Sequence, residues 1–264
     1  MAEVAVADLD FDGSVVVVTG GARGIGAGIA RSFLARSAAV ITCARREPEE
    51  PVRAAGREAE FRSCDVRDAE QAAELVDAVV QRHGRLDVLV NNAGGAPFAE
   101  AASASPRFHG KVVELNLLSA LHVSQCANDV MQRGSGGSIV MVSSVAGTRG
   151  SPGTAAYGAA KAGLDNLAAS LAIEWAPKVR VNALQVGMVR TESAALHYGG
   201  EESVAAVERT VPLGRLAEPR EVGECAAFLA SPMASYVSGA ALKVHGGGET
   251  PAFLAASKAD EEGA

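Results

Sequence analysis

Tyr157 and Lys161 stand four residues apart near the start of an alanine-rich stretch. In a helix that spacing places both side chains on one face. A phenol ordinarily releases its proton near pH 10. An ammonium beside it favours the phenolate and brings it toward the range useful for acid–base work. Ser143 and Ser144 precede the tyrosine at the end of an apolar run. A hydroxyl there can hydrogen-bond a carbonyl oxygen as charge develops on it. A third group is Thr19-Gly20-Gly21-Ala22-Arg23-Gly24-Ile25-Gly26, which follows four consecutive valines. Its G-x-x-x-G-x-G spacing differs from G-x-G-x-x-G but shares its physics: a tight turn, close backbone approach, and a helix N-terminus that attracts a pyrophosphate. Taken singly, each motif has a plainer reading, with Tyr157 as packing and the glycines as a tight turn.

The next apolar run ends Ile41-Thr42-Cys43-Ala44-Arg45-Arg46, with no acid at its tip and Glu47 beyond it. A carboxylate at that place holds a ribose 2′-hydroxyl, whereas a 2′-phosphate needs cations. Arg23 and Arg45 together suit a 2′-phosphate, so NADP(H) is favoured and NAD(H) remains possible. The alternative makes Arg45 and Arg46 a solvated surface pair.

These groups need a scaffold, and the chain's rhythm supplies one. Strand-like runs cover residues 15–18, 39–43, 58–63, 88–90, 138–143, 179–184 and 241–244. Helical patterns cover 25–36, 68–83, 108–131, 156–175 and 219–230. Continuously apolar strands alternating with helices predict a single-domain α/β fold over 1–264, a doubly wound Rossmann-type parallel sheet of about seven strands with helices on both faces. Residues 188–211 interrupt the rhythm and are expected to form a substrate lid. Residues 250–264 read as a partly disordered tail.

Composition narrows the partners. The net charge of −7 and an aromatic content of 4% argue against nucleic acid. No apolar run reaches the ~18 residues of a membrane span. The N-terminus, Met1 to Asp10, is acidic and has no basic leader, so it is not expected to be a targeting signal. Cys43, Cys64, Cys126 and Cys225 lack metal-ligand spacing. No metal is expected, and free thiols fit a reducing cytoplasm.

Thr19-Gly20 through Gly26, Asn91-Asn92-Ala93-Gly94, Asn116, Ser144 and Tyr157-x-x-x-Lys161 occur in one order across residues 10–248. In this the chain resembles the short-chain dehydrogenase/reductase family, in particular its NADP-preferring 3-oxoacyl reductases and hydroxysteroid dehydrogenases. The resemblance implies that Tyr157 is the general acid in reduction and the base in oxidation. Lys161 would hold the nicotinamide ribose and lower the phenol pKa. Ser144 would polarise the carbonyl, and Asn116 would hold a water in a relay to Lys161. Cofactor contacts would come from Gly20, Arg23, Gly24, Ile25, Gly26, Arg45, Asp65, Val66, Asn92, Ala93, Gly94, Tyr157, Lys161, Gly187, Val189 and Thr191, with Asn91 shaping the floor. Asp65 as a helix cap and Asn116 as a purely local bonder stay open as alternatives.

One departure stands out. The family's Asn-x-x-x-Pro-Gly reads Asn182-Ala183-Leu184-Gln185-Val186-Gly187 here. Without the proline's fixed φ, a looser or differently shaped nicotinamide loop is expected. The resemblance also implies a homotetramer through the helix from Ala156, with Trp175, and the helix 219–230. Phe98, Met188, Leu196 and Tyr198 would line an apolar substrate pocket, with His197 on the lid. A small hydrophobic carbonyl or alcohol substrate follows. Three activities stay open: reduction of a ketone such as a 3-oxoacyl or steroid-like compound, NAD-dependent oxidation of a secondary alcohol, and non-catalytic NADP sensing.

Overall fold

The computed structural model describes residues 9–192, 194 and 198–256. The residues from Met1 to Asp8, Leu196, His197 and the tail from 257 onward lie outside the described residues. Seven strands form one sheet: β1 (Val15–Thr19), β2 (Ala39–Ala44), β3 (Glu60–Ser63), β4 (Val88–Asn91), β5 (Gly137–Ser144), β6 (Val179–Val186) and β7 (Ala241–Val244). All pair in parallel in the order β3-β2-β1-β4-β5-β6-β7. Chain direction across the sheet therefore reverses between β1 and β4, the place where such sheets open a crevice for ligands.

The four-valine run is explained by this sandwich. Val15 and Val17 join one core with α2 (Ala69–His83), α4 (Ser119–Arg133) and α5 (Ala155–Glu174). Val16 and Val18 join the opposite core with α1 (Gly24–Leu34) and α7 (Pro219–Ala230). Both faces of the strand are buried, so no polar alternation is required.

Three expectations are corrected. The helix expected over 108–131 is α3 (Pro106–Val113) and α4, joined by a π turn (Glu114–Leu118). Side chains there compete for backbone carbonyls: Asn116 Nδ2 donates to the Val112 oxygen at 2.9 Å and Ser119 Oγ to the Leu115 oxygen at 2.7 Å. The strand expected from Glu58 begins at Glu60, because Arg57–Glu58 pairs instead with Arg53–Ala54 as a small hairpin. Residues 188–211 contain a helix, α6 (Glu201–Glu208), whose single buried side chain, Val204, left almost no apolar periodicity to read. Past this segment, α8 (Ala252–Ala256) gives the start of the tail regular structure.

The loop after β6 is not loosened by the missing proline. Val186 lies in register between Ser144 of β5 and Val244 of β7. Gly187 N–H continues to the Val244 oxygen at 2.9 Å. A residue that keeps its N–H can extend a central strand where proline cannot. No helix among the described residues is long and apolar enough to cross a membrane.

Candidate active site

The C-terminal ends of β1 and β4 are stapled together. Thr19 Oγ1 accepts the Asn92 and Ala93 N–H groups, each at 3.0 Å. Asn92 Nδ2 donates to the Thr19 and Gly20 oxygens at 3.0 and 3.1 Å. Asn92 thus fixes the glycine turn from behind. The turn has no room for side chains. A Cβ built on Gly26 lies 2.3 Å from the Gly20 oxygen and 2.5 Å from Asn92 Nδ2, and Gly20 holds φ +62°. At the first turn of α1, Gly24 and Gly26 carry no side chain on either side of Ile25, and their exposed N–H end suits a diphosphate.

Residues distant in sequence close on this turn. Gly187 packs against His245, and Val189 is buried and bridges to Ala217. That anchor brings Thr191 beside Gly24, whose N–H donates to Glu192 Oε2 at 3.1 Å. No sequence signal linked Glu192 to a turn so far away. A diphosphate on α1 competes for this N–H and meets the carboxylate's charge. Glu192→Gln is therefore expected to tighten dinucleotide binding about two- to fivefold, with the gain shrinking in salt. Calorimetric titrations of both proteins at two ionic strengths check this.

Beyond the glycine turn, Arg23 and Arg45 are exposed. Asp65 is not a helix cap, since Asp68 caps α2. Arg67 clasps the Asp65 carboxylate, donating from Nε at 2.9 Å and from its terminal nitrogen at 2.5 Å. This pairing first, and Arg45's charge in lesser part, hold the carboxyl below its ordinary value. Val66 is buried beside it.

Ser144, Tyr157 and Lys161 meet at the end of β5. Ser144 Oγ caps a short 3-10 turn (Val145–Gly147) by accepting the Ala146 N–H at 3.1 Å. It lies close enough to the Tyr157 phenol to act on its proton affinity. Lys161 is buried, donates to the Val142 oxygen at 2.8 Å, and sits 5.6 Å from the centroid of the Tyr157 ring. Burial pulls its ammonium down to about 8, opposed by the charge of Asp165. Burial pushes the Tyr157 phenol above the ordinary value, and the Ser144 hydroxyl pulls the other way. Lys161 approaches the ring face, and its effect on the hydroxyl is correspondingly small.

Asn116, in the π turn, has its amide committed to backbone. Oδ1 accepts the Gly95 N–H at 3.0 Å, and Nδ2 donates to the Gly95 and Val112 oxygens at 2.9 Å. A Cβ on Gly94 would lie 2.7 Å from Asn116 Oδ1 and 3.6 Å from Lys161 Nζ. The glycine therefore keeps the gap between those two groups open. Asn91 is structural, donating to Ser124 Oγ at 2.8 Å.

The apolar rim is only partly assembled. Phe98 is 77% exposed, with its ring over Gly153. Met188 is half-buried. Tyr198 lies close enough for the Tyr157 charge to reach it, and burial raises its phenol. Leu196 and His197 lie outside the described residues. Arg149 and Glu249 pair across the rim. Among the described residues no cluster of metal-ligating side chains occurs.

A family model described as enoyl-(acyl carrier protein) reductase matches residues 20–249. The chain is 40% identical over 246 residues to the cis-4-hydroxycyclohexanecarboxylate dehydrogenase of Sinomonas cyclohexanicum, covering 90% of this chain and 97% of that protein. It is 35% identical over 250 residues to a tropinone reductase homolog of Arabidopsis thaliana, covering 92% and 93%. A variant of the actinorhodin polyketide ketoreductase, crystallised with NADPH, has a similar structure: TM-score 0.83 at 36% identity, over 89% of this chain and 96% of that one.

Proposed function

Because the chain belongs to the short-chain dehydrogenase/reductase family, we propose that it reduces a hydrophobic ketone, of 3-oxoacyl or steroid-like type, with NADPH. That it is an oxidoreductase of CH–OH and C=O groups follows from the family. The observation that carries the finer reading is the meeting of Ser144, Tyr157 and Lys161 beside the side-chain-free glycine turn. The residues fit a nicotinamide dinucleotide: Gly26 lets the turn close on Gly20 and Asn92, where any Cβ would push it away, and a Cβ on Gly94 would fill the space beside Lys161.

In this reading Gly20, Gly24, Ile25 and Gly26 hold the diphosphate. Asp65 and Val66 flank the adenine, Arg23 and Arg45 hold the 2′-phosphate, and Asn92, Ala93, Gly94, Gly187, Val189 and Thr191 frame the nicotinamide half. When bound, the dinucleotide supplies the hydride. Ser144 Oγ donates a hydrogen bond to the substrate carbonyl oxygen. Tyr157 gives that oxygen its proton, and Lys161 holds positive charge beneath the ring. A phenol kept protonated by burial suits the donor role at neutral pH. Asn116 and Lys161 line the space for a proton-relay water.

The whole chain works as one catalytic domain, with 188–211 as its lid. Ile173, 82% exposed on α5, supports a homotetramer built through that helix. Four free cysteines support a cytoplasmic setting.

Paired titrations with NADPH and NADH test the proposal. At least tenfold tighter NADPH is expected, about 1.4 kcal/mol, and Arg45→Asp should invert the order. Tighter NADH in the unaltered protein overturns the 2′-phosphate assignment and directs the substrate search to secondary alcohols undergoing oxidation.

A further inference from the structure

Tyr157, Lys161 and Asp165 follow at four-residue steps along α5, so they share one stripe of the helix. The chemistry above uses the first two and leaves Asp165 unexplained. Its Oδ2 accepts a 2.7 Å hydrogen bond from Nε2 of Gln185, a side chain buried in β6. Ser143, the register partner of Gln185, donates through Oγ to the Lys161 oxygen at 3.2 Å. The other carboxylate oxygen, Oδ1, is buried with no hydrogen-bond partner among the described residues. A buried carboxylate oxygen without a donor is costly, and so is a buried ammonium without an anion. Lys161 is 4% exposed, and its hydrogen bond goes to the neutral Val142 carbonyl.

We infer that Asp165, oriented by Gln185, is the counter-ion of Lys161 and keeps it an ammonium at the pH where the enzyme works. Asp165 is thus a positioning residue acting through Lys161. Its effect on turnover rests on the reductase reading; the charge pairing does not. Burial and Asp165 are the influences on Lys161, in opposite directions. The elements packed against α5 carry other titratable groups: Arg107, His109 and Lys111 on α3, Glu114 on the π turn and Arg180 on β6. Tyr157 and Glu174 lie on α5 itself, with the Tyr157 ring centroid 5.6 Å from Lys161 Nζ. β5 and the 3-10 turn carry none.

Removing the carboxylate's charge leaves burial unopposed, so Lys161 loses its proton at lower pH. Gln185→Leu acts in the same direction, because it removes the hydrogen bond that orients the carboxylate. The test titrates the Lys161 Cε resonance in protein carrying carbon-13 lysine, with the signal assigned by its absence in Lys161→Arg. Asp165→Asn should lower the midpoint by about one pH unit, and Gln185→Leu should lower it by less. The alkaline limb of kcat/KM for NADPH-dependent carbonyl reduction needs both Tyr157 and Lys161 protonated, and should move down with the midpoint. A folded Asp165→Asn protein with the midpoint unchanged overturns the inference. If that variant fails to fold, Gln185→Leu decides by the same two outcomes. Should the unaltered protein reduce no carbonyl, the functional proposal falls and the Lys161 midpoint still decides this one.

Discussion

Tyr157→Phe is expected to lower kcat for carbonyl reduction by about 10²-fold or more, equal to about 2.7 kcal/mol of transition-state stabilisation. The dinucleotide Kd and the thermal midpoint should change little, since the substitution removes one oxygen and keeps the ring beside Lys161. Three features favour this hydroxyl as the proton donor. It lies beside Ser144, the residue at the tip of β5. Burial keeps it protonated. Lys161, the other acid at the site, donates to the Val142 oxygen and lies beneath the ring. Tyr198 is the rival, a second phenol within reach of the first one's charge. Tyr198→Phe should therefore cost far less than Tyr157→Phe. Single-turnover rates of both variants with NADPH and a ketone separate the two. If Tyr157→Phe keeps the rate and Tyr198→Phe loses it, the donor is Tyr198.

The sheet was legible because buried parallel strands are apolar on both faces. The Val15-Val16-Val17-Val18 run has no other use than two-sided burial. Helix α2 was legible from its apolar spacing, since Ala72, Leu75, Val76 and Val79 all face the core. Regularity failed where side chains compete with backbone. Nothing in a periodicity shows that Asn116 and Ser119 capture i−4 carbonyls and open a π turn. The site was legible in its chain-local parts: the glycine turn, the Tyr157–Lys161 spacing, and the serine at a strand tip. Its through-space parts were not. Glu192 reaches Gly24 across most of the chain. Asp165 meets Gln185 only because α5 lies over β6. Val186 carried the opposite lesson: its departure from the family pattern suggested looseness, and a free N–H in a central strand gave order instead.

Gly26→Ala is expected to weaken dinucleotide binding at least tenfold and to lower the thermal midpoint by about 2–10 °C, from about 1–3 kcal/mol of overpacking. The added methyl has no low-cost escape. It meets a backbone oxygen, that of Gly20, at 2.3 Å and the Asn92 amide at 2.5 Å. The amide cannot swing aside freely, because it holds the Thr19 and Gly20 oxygens. Relief therefore comes from moving the glycine turn, and that movement displaces the N–H groups at the start of α1 that are suited to a diphosphate. Stability and affinity fall together for one geometric reason. Gly110→Ala separates this from a general intolerance of alanine. Gly110 lies exposed in α3 with nothing within 4 Å of a built Cβ. There the helix preference of alanine, about 0.5–1 kcal/mol, should raise the midpoint slightly and leave affinity unchanged. Calorimetric Kd values and thermal melts of the two variants check both halves. A Gly26→Ala protein that binds NADPH as tightly as the unaltered protein would remove the glycine turn from the cofactor site.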